Sequence, residues 1–240
     1  MADAAALAEL VPAPGRGRLF EQPVRAGLAD AAPDGRVRLD ALARWMQDLA
    51  YADVADAGID RVAAWVVRRM RMQVRRFPRF GERLAMRTFC SGLGRMWAER
   101  RTTVRGPEGD VEAVALWVHL DPASLRPIPL GERTLELYGE SAGGRRVRAR
   151  LRHPDPGPDA SRVRWRFRAS DLDVAGHVNN AAYWEPLEEE LLAGPAPERL
   201  DAEIEFRAPA QAGEAVLLRE DDRRWIAAPG GEVHASLVIA

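Results

Sequence analysis

The chain has 240 residues, with 35 Lys+Arg set against 36 Asp+Glu and a formal net charge of −1, a balance that argues against a wholesale nucleic-acid or membrane-surface binder. Hydrophobic residues at 47% and charged residues at 30% describe a globular protein, long enough for one large domain or two of roughly 100–120 residues. A single cysteine, Cys90, excludes a disulfide framework and a thiol-rich metal site and fits a reducing compartment, while no apolar run approaches the roughly 18 residues that span a bilayer.

The stretch Met1–Gly17 is rich in Ala and Pro, carries Asp3 and Glu9, and lacks the basic start of a leader peptide. It reads as a flexible tail over residues 1–18, and a cytoplasmic location is the expectation. Between Arg38 and Ala57, the residues Leu39, Leu42, Ala43, Met46, Leu49, Ala50 and Val54 recur mostly at spacings of three and four. That predicts an amphipathic helix, stopped by Gly58. Strand-like stretches follow at Trp65–Val74, Arg83–Cys90, Trp97–Val104 and Val111–Leu120, punctuated by turn sequences such as Ser91-Gly92-Leu93-Gly94 and Gly106-Pro107-Glu108-Gly109-Asp110.

The second half repeats this grammar. Gly35-Arg36-Val37 before the first helix matches Gly176-His177-Val178 before a second, predicted over Asn180–Leu192. Phe80-Gly81-Glu82-Arg83-Leu84 matches Ala212-Gly213-Glu214-Ala215-Val216, and Gly109-Asp110-Val111-Glu112-Ala113 matches Gly231-Glu232-Val233-His234-Ala235. Residues 139–161, with Gly143-Gly144 and Pro154-Asp155-Pro156-Gly157-Pro158, read as a linker. The expectation is an α+β fold, a double (tandem) hotdog: two long helices, each wrapped by a curved antiparallel sheet, in units spanning 19–138 and 162–240. Pairing the units would cover the sheet edge that each alone leaves open.

One segment concentrates chemistry. Ser170-Asp171-Leu172-Asp173-Val174-Ala175-Gly176-His177-Val178-Asn179-Asn180-Ala181-Ala182-Tyr183-Trp184 follows a predicted strand, Val163–Phe167, and leads into the second helix. Gly176 permits a backbone conformation that a Cβ would forbid. Asn179 or Asn180 can cap the helix, whose first N–H groups lie at the positive end of its dipole. Such donors, near Gly176, Val178 and Asn179, are candidates to hold the oxyanion of a tetrahedral acyl intermediate. Asp173 is the candidate base or nucleophile, and His177 the candidate to orient it or carry a proton. Caps and structural histidines are the ordinary use of these residue types, so the turn alone leaves both readings open.

Asp-Leu-Asp-Val-Ala-Gly-His-Val-Asn-Asn-Ala-Ala-Tyr over 171–183 resembles the signature of the acyl-ACP thioesterases, which release fatty acids from acyl carrier protein. Trp65-Val66-Val67-Arg68-Arg69-Met70, Arg76-Phe77-Pro78-Arg79-Phe80-Gly81-Glu82 and Thr88-Phe89-Cys90-Ser91-Gly92 resemble the first hotdog of the same family. The resemblance implies hydrolysis of a fatty acyl thioester without a cofactor, with the family's catalytic Asp on Asp173 and its His on His177. The chain departs from the pattern in two places. The family's asparagine two residues after the Asp meets Ala175, and its further acidic or thiol residue, after an aromatic-Arg pair resembling Phe206-Arg207, meets Ala208-Pro209-Ala210. Acyl-CoA hydrolysis, with the same site and a different carrier, is one alternative; an acyl- or carrier-binding role without catalysis is the other, and it is the one that these departures favour.

Other residues read as secondary. Glu189, in the run Glu188-Glu189-Glu190 after Pro186, is a minor catalytic alternative, because the family signature tends to carry a glutamate there. Tyr183 and Trp184 are expected to pack the core or line an acyl tunnel. His119, His153 and His234 lack metal-ligand spacing, so no metal is expected. Cys90 reads as a small buried residue. Two arginine groups, one from Arg68 to Arg79 and one alternating over Arg162–Arg168, are solvated faces or docking points for an acidic carrier protein; nucleic acid is a poorer partner. A monomer with internal pseudo-dimer symmetry or a homodimer both satisfy the pairing.

Overall fold

The computed structural model describes residues 7–59 and 64–240. Ten strands form one antiparallel sheet in the order β1-β3-β4-β5-β2-β7-β10-β9-β8-β6. In the first half β1 is Leu19–Arg25, β2 Ala64–Arg76, β3 Arg83–Leu93, β4 Trp97–Arg105 and β5 Asp110–Leu120. The second half runs β6 Ser161–Phe167, β7 Leu200–Phe206, β8 Gly213–Glu220, β9 Arg223–Ala227 and β10 Val233–Ile239. Each half has the same internal strand order, reversed across a central seam where β2 pairs with β7, Met70 opposite Ile204. This is the double hotdog: each half's open edge is closed by the other's, which removes the exposed ladder a single unit would carry.

The helix α1, Leu39–Asp56, forms because its apolar residues share one stripe; Leu39, Leu42, Met46 and Leu49 are buried against Met70, Met72, Val104 and Val111 of the sheet. The second helix departs from expectation. Asn180–Trp184 is a 3-10 helix, and the α-helix α3 begins only at Glu185 and ends at Ala193. Pro186 explains the break, since it has no N–H with which to continue the ladder and is tolerated only in a first turn. Between the halves lies an unexpected helix, α2, Glu132–Ala142, whose Tyr138 and Ala142 pack on Cys90 and Ile59.

The segment read as a flexible tail is held down over 7–18. Ala8 is buried; its N–H donates to Glu203 Oε2 at 2.7 Å, and its carbonyl accepts from Arg71 at 2.6 Å. Arg101 donates to the Val11 carbonyl at 2.9 Å. The connection after α2 is equally anchored, with the N–H groups of Arg152 and His153 donating to Glu205. Both straps cover the outer face of the β2–β7 seam because that face carries buried charges, Arg69, Glu203 and Glu205, which need partners. There His153 lies 3.4 Å from Glu203. Burial would raise the Glu203 carboxyl, but the His153 ring, the Ala8 N–H, Arg69 and Arg152 outweigh it and hold it below its ordinary value.

Candidate active site

The turn after β6 is built by its own backbone. Asp171 caps its start, accepting from Arg168 N–H at 2.7 Å, and its carbonyl accepts from Asn179 N–H at 2.8 Å. Asp173 N–H donates to the His177 carbonyl at 2.9 Å, and Gly176 N–H donates to the Asp173 carbonyl at 3.0 Å. Closing so tight a turn puts Gly176 at φ +74°, where a Cβ is disfavoured.

The same bonds orient Asp173. Its Oδ1 accepts from Ala175 N–H at 2.9 Å, and Asn179 Nδ2 approaches its Oδ2 at 3.4 Å. Asn179 is fixed in turn, because its Oδ1 caps the 3-10 helix by accepting from Ala181 N–H at 2.9 Å. Asp173 therefore stands as a half-buried carboxylate in the wall of a cavity of about 350 Å³. Val174, Ala175 and Asn180 line the same mouth; the rest comes from the first half, chiefly Gln47, Ala50, Tyr51 and Val54 of α1 with Trp65, Arg100 and Trp117 of the sheet. The second half supplies the turn and the first half supplies the pocket.

The expected oxyanion donors need correction. The N–H groups of Gly176, Val178 and Asn179 are all consumed, by the carbonyls of Asp173, Ala210 and Asp171. Asn180 N–H has no acceptor among the described residues, and Asn180 lines the cavity. The duplicated turn in the first half shows what this position can bind. There Gly35 (φ +85°) matches Gly176, Ala32 matches Asp173, Arg36 matches His177 and Leu39 matches Asn180. Leu39 N–H donates to a carboxylate oxygen, Glu188 Oε2, at 3.0 Å. Counting from the two caps, Glu188 is the counterpart of Gln47, which faces Asn180 across the cavity mouth.

The His177 ring does not line the cavity and has no hydrogen-bond partner among the described residues; its backbone carbonyl is its contribution to the turn. Glu189 is exposed, whereas Glu188, one position earlier, is buried. Ala175 and Ala210 bring no polar side chain to the turn, although Ala210 touches it through its backbone. Tyr183 packs between Phe167 and Phe206, accepts a hydrogen bond from Ala210 N–H, and is pushed by burial up to about 12, so it stays a neutral phenol. Cys90 lines the cavity, but burial pushes its thiol up to about 11, which leaves little thiolate at neutral pH.

Gln47, Arg100 and Asp53 escape sequence reading. Asp53 falls on the apolar stripe of α1 three residues after Ala50, a signal of a buried charge in need of a partner, and it finds Arg100 at 2.6 Å. Arg100 carries no such signal, since Glu99-Arg100-Arg101-Thr102 lacks alternation and a bulge between Cys90 and Gly92 shifts the register beside it.

An uncharacterized protein of Mycobacterium tuberculosis is 26% identical over 239 residues, covering 96% of this chain and 95% of the relative. An acyl-ACP thioesterase from Bacteroides thetaiotaomicron superposes with a TM-score of 0.76 at 17% identity, covering 92% of this chain and 96% of that one. The 12:0-ACP thioesterase from Umbellularia californica gives a TM-score of 0.71 at 18% identity, covering 93% and 97%; at these identities the likeness speaks for the fold. The sequence itself matches the acyl-ACP thioesterase N-terminal domain over residues 17–138 and the C-terminal domain over 157–225. The chain thus belongs to the acyl-ACP thioesterase family and is a thioester hydrolase.

Proposed function

We propose that Asp173 is the reactive group and that the acyl chain of a fatty acyl thioester occupies the cavity lined by α1. The observation that carries this reading is the carboxylate itself: it is oriented by Ala175 N–H and Asn179 and opens onto a pocket with an apolar majority. Asp173 takes a proton from water as the water oxygen bonds to the thioester carbonyl carbon. The carbonyl oxygen becomes an oxyanion, for which Asn180 N–H is the free donor, in the position where Leu39 N–H holds Glu188. Collapse breaks the carbon–sulfur bond, and the proton held by Asp173 passes to the leaving thiolate. His177 serves through its carbonyl, holding Asp173 N–H; Asn179 positions the carboxylate.

The carrier in this reading is an acidic acyl carrier protein. Arg162, Arg164 and Arg166 on the edge strand β6 are exposed and have no ion-pair partner among the described residues, and β6 runs directly into the Asp173 turn. In the other arginine group, Arg69 and Arg71 pair with Glu203 and Asp201, and Arg68 donates to the carbonyls of Phe206 and Arg207. A cytoplasmic setting fits the free thiol of Cys90, and one chain is a sufficient functional unit because the seam already pairs two halves. Thiol release from acyl-ACP and acyl-CoA of matched chain length, by wild type and Asp173→Asn, tests the reading. Hydrolysis of neither thioester by wild type overturns it; equal rates on both overturn the carrier protein alone.

A further inference from the structure

The helix α1 presents one row of residues, Ala43, Gln47, Ala50 and Val54, to the cavity and to a narrow cleft that adjoins it at Gln47, Arg100, Trp117 and Asn180. Gln47 is the one polar member of that row, and it lines both spaces together with Asn180. The residue is half-buried, and its carboxamide makes no hydrogen bond among the described residues. Unlike the sealed Trp117 indole, neither of its terminal atoms is both buried and unpaired. The carboxamide is free to meet a ligand.

The duplicated half shows what this position reaches. Glu188 stands eight residues after Asn180, as Gln47 stands eight after Leu39. Through one oxygen, Oε2, Glu188 accepts from Leu39 N–H at 3.0 Å and from Arg36 Nη1 at 3.1 Å. The tip of that side chain thus meets the free N–H at the start of the other half's helix. In the second turn the matching N–H belongs to Asn180, His177 in place of Arg36 keeps its ring out of the cavity lining, and an amide replaces the carboxylate. That replacement reverses the role of the position. A carboxylate only accepts, so it occupies the N–H and closes the turn, whereas a carboxamide also donates. A substrate oxygen that takes Asn180 N–H would stand where Glu188 Oε2 stands in the first turn, beside the side chain at 47. A glutamate there would instead set a second negative charge against Asp173 and the oxyanion.

We propose that Gln47 is a catalytic residue, the second oxyanion donor: its Nε2–H and Asn180 N–H together hold the thioester carbonyl oxygen as water adds to the carbon. The inference rests on the reading that Asp173 activates that water at this turn. It divides the reacting site between the halves, with the base and one donor from the second and the other donor from the first. Donors aimed where charge develops favour the transition state over the bound substrate, so loss of one falls on kcat more than on KM.

The test uses the full chain with an acyl-pantetheine thioester. Gln47→Met, which keeps the length of the side chain and donates nothing, should lower kcat by about 10²–10³-fold, with KM and melting temperature near those of wild type. Gln47→Glu should be at least as slow, because it can close on Asn180 N–H as Glu188 closes on Leu39 N–H. A second readout needs no turnover. The infrared carbonyl band of a carbon-13-labelled acyl-pantetheine amide should lie lower when bound to wild type than when bound to Gln47→Met, since donation to the oxygen weakens the C=O bond. Unchanged kcat in Gln47→Met overturns the proposal while leaving Asp173 and thioester hydrolysis standing. A fall in kcat with the same carbonyl band in both proteins means a structural role and overturns it too. If wild type cleaves no thioester, the reaction reading fails and the band alone decides: a difference keeps Gln47 as a carbonyl donor, and no difference removes it.

Discussion

Arg36 and Glu188 lie 2.8 Å apart with side chains only 2% and 3% exposed, where the first turn meets the second helix. The corresponding meeting of the second turn with the first helix is the cavity mouth, where Gln47 stands in place of Glu188 and His177, in place of Arg36, keeps its ring out of the cavity lining. The duplication therefore built two turns of one design and used them differently. One is closed by a buried ion pair that also caps α1 through Leu39 N–H; the other, with a carboxylate in place of Ala32, opens onto the cavity.

Breaking that pair should cost stability rather than chemistry. Removing one partner strands a buried charge, and the usual penalty is about 3–5 kcal/mol. Glu188→Ala should lower the urea midpoint by a corresponding amount, and Arg36→Met with Glu188→Leu should recover much of it. An unchanged midpoint in Glu188→Ala would show that the pair holds nothing in place.

Asp173→Asn removes the proton acceptor at a half-buried position whose backbone bonds stay intact. Thioester hydrolysis should fall by about 10²–10⁴-fold, with little change in melting temperature. Retained activity would move the chemistry away from this turn.

Chain length should respond to α1. Ala50 lines the cavity, and Ala50→Leu places an isopropyl group in its wall. The optimum in a series of unsubstituted acyl thioesters should shift to shorter chains; an unmoved optimum would mean that the acyl group lies elsewhere.

The strap contacts make stability sensitive to acid. Because the Glu203 carboxyl is held below its ordinary 4.5, the folded state favours the ionised form. That contribution is complete above the unfolded value and is lost as pH falls through the lowered folded value. Melting temperature should drop below about pH 4.5, and Glu203→Gln should flatten that part of the profile. A parallel, merely offset profile would remove Glu203 from the cause.

Carrier recognition should be electrostatic. Reversing charge at Arg162, Arg164 and Arg166 should raise KM for acyl-ACP several-fold and weaken its salt dependence, because surface attraction is screened over about 10 Å at 0.1 M salt. Indifference of acyl-ACP hydrolysis to both changes would place the carrier on another face.

What the chain shows by itself is local and periodic. The stripe from Leu39 to Ala50 determines α1, the repeated Gly-x-Val before each helix reveals the duplication, and Asp173 with Gly176 marks the turn. Apolar spacing predicts the helical span of the second half but not its split into a 3-10 turn and an α-helix, because it does not register the missing N–H of Pro186. Tertiary structure decided the rest, because it depends on partners far apart in sequence. Only the closed turn spends the N–H groups of Gly176 and Val178 and leaves that of Asn180. Only packing separates Glu188 from Glu189, since one step along a helix rotates a side chain by about 100°. And only the seam between β2 and β7, which sets the second half's carboxylate against the first half's pocket, brings Asp173 to Gln47 and Arg100.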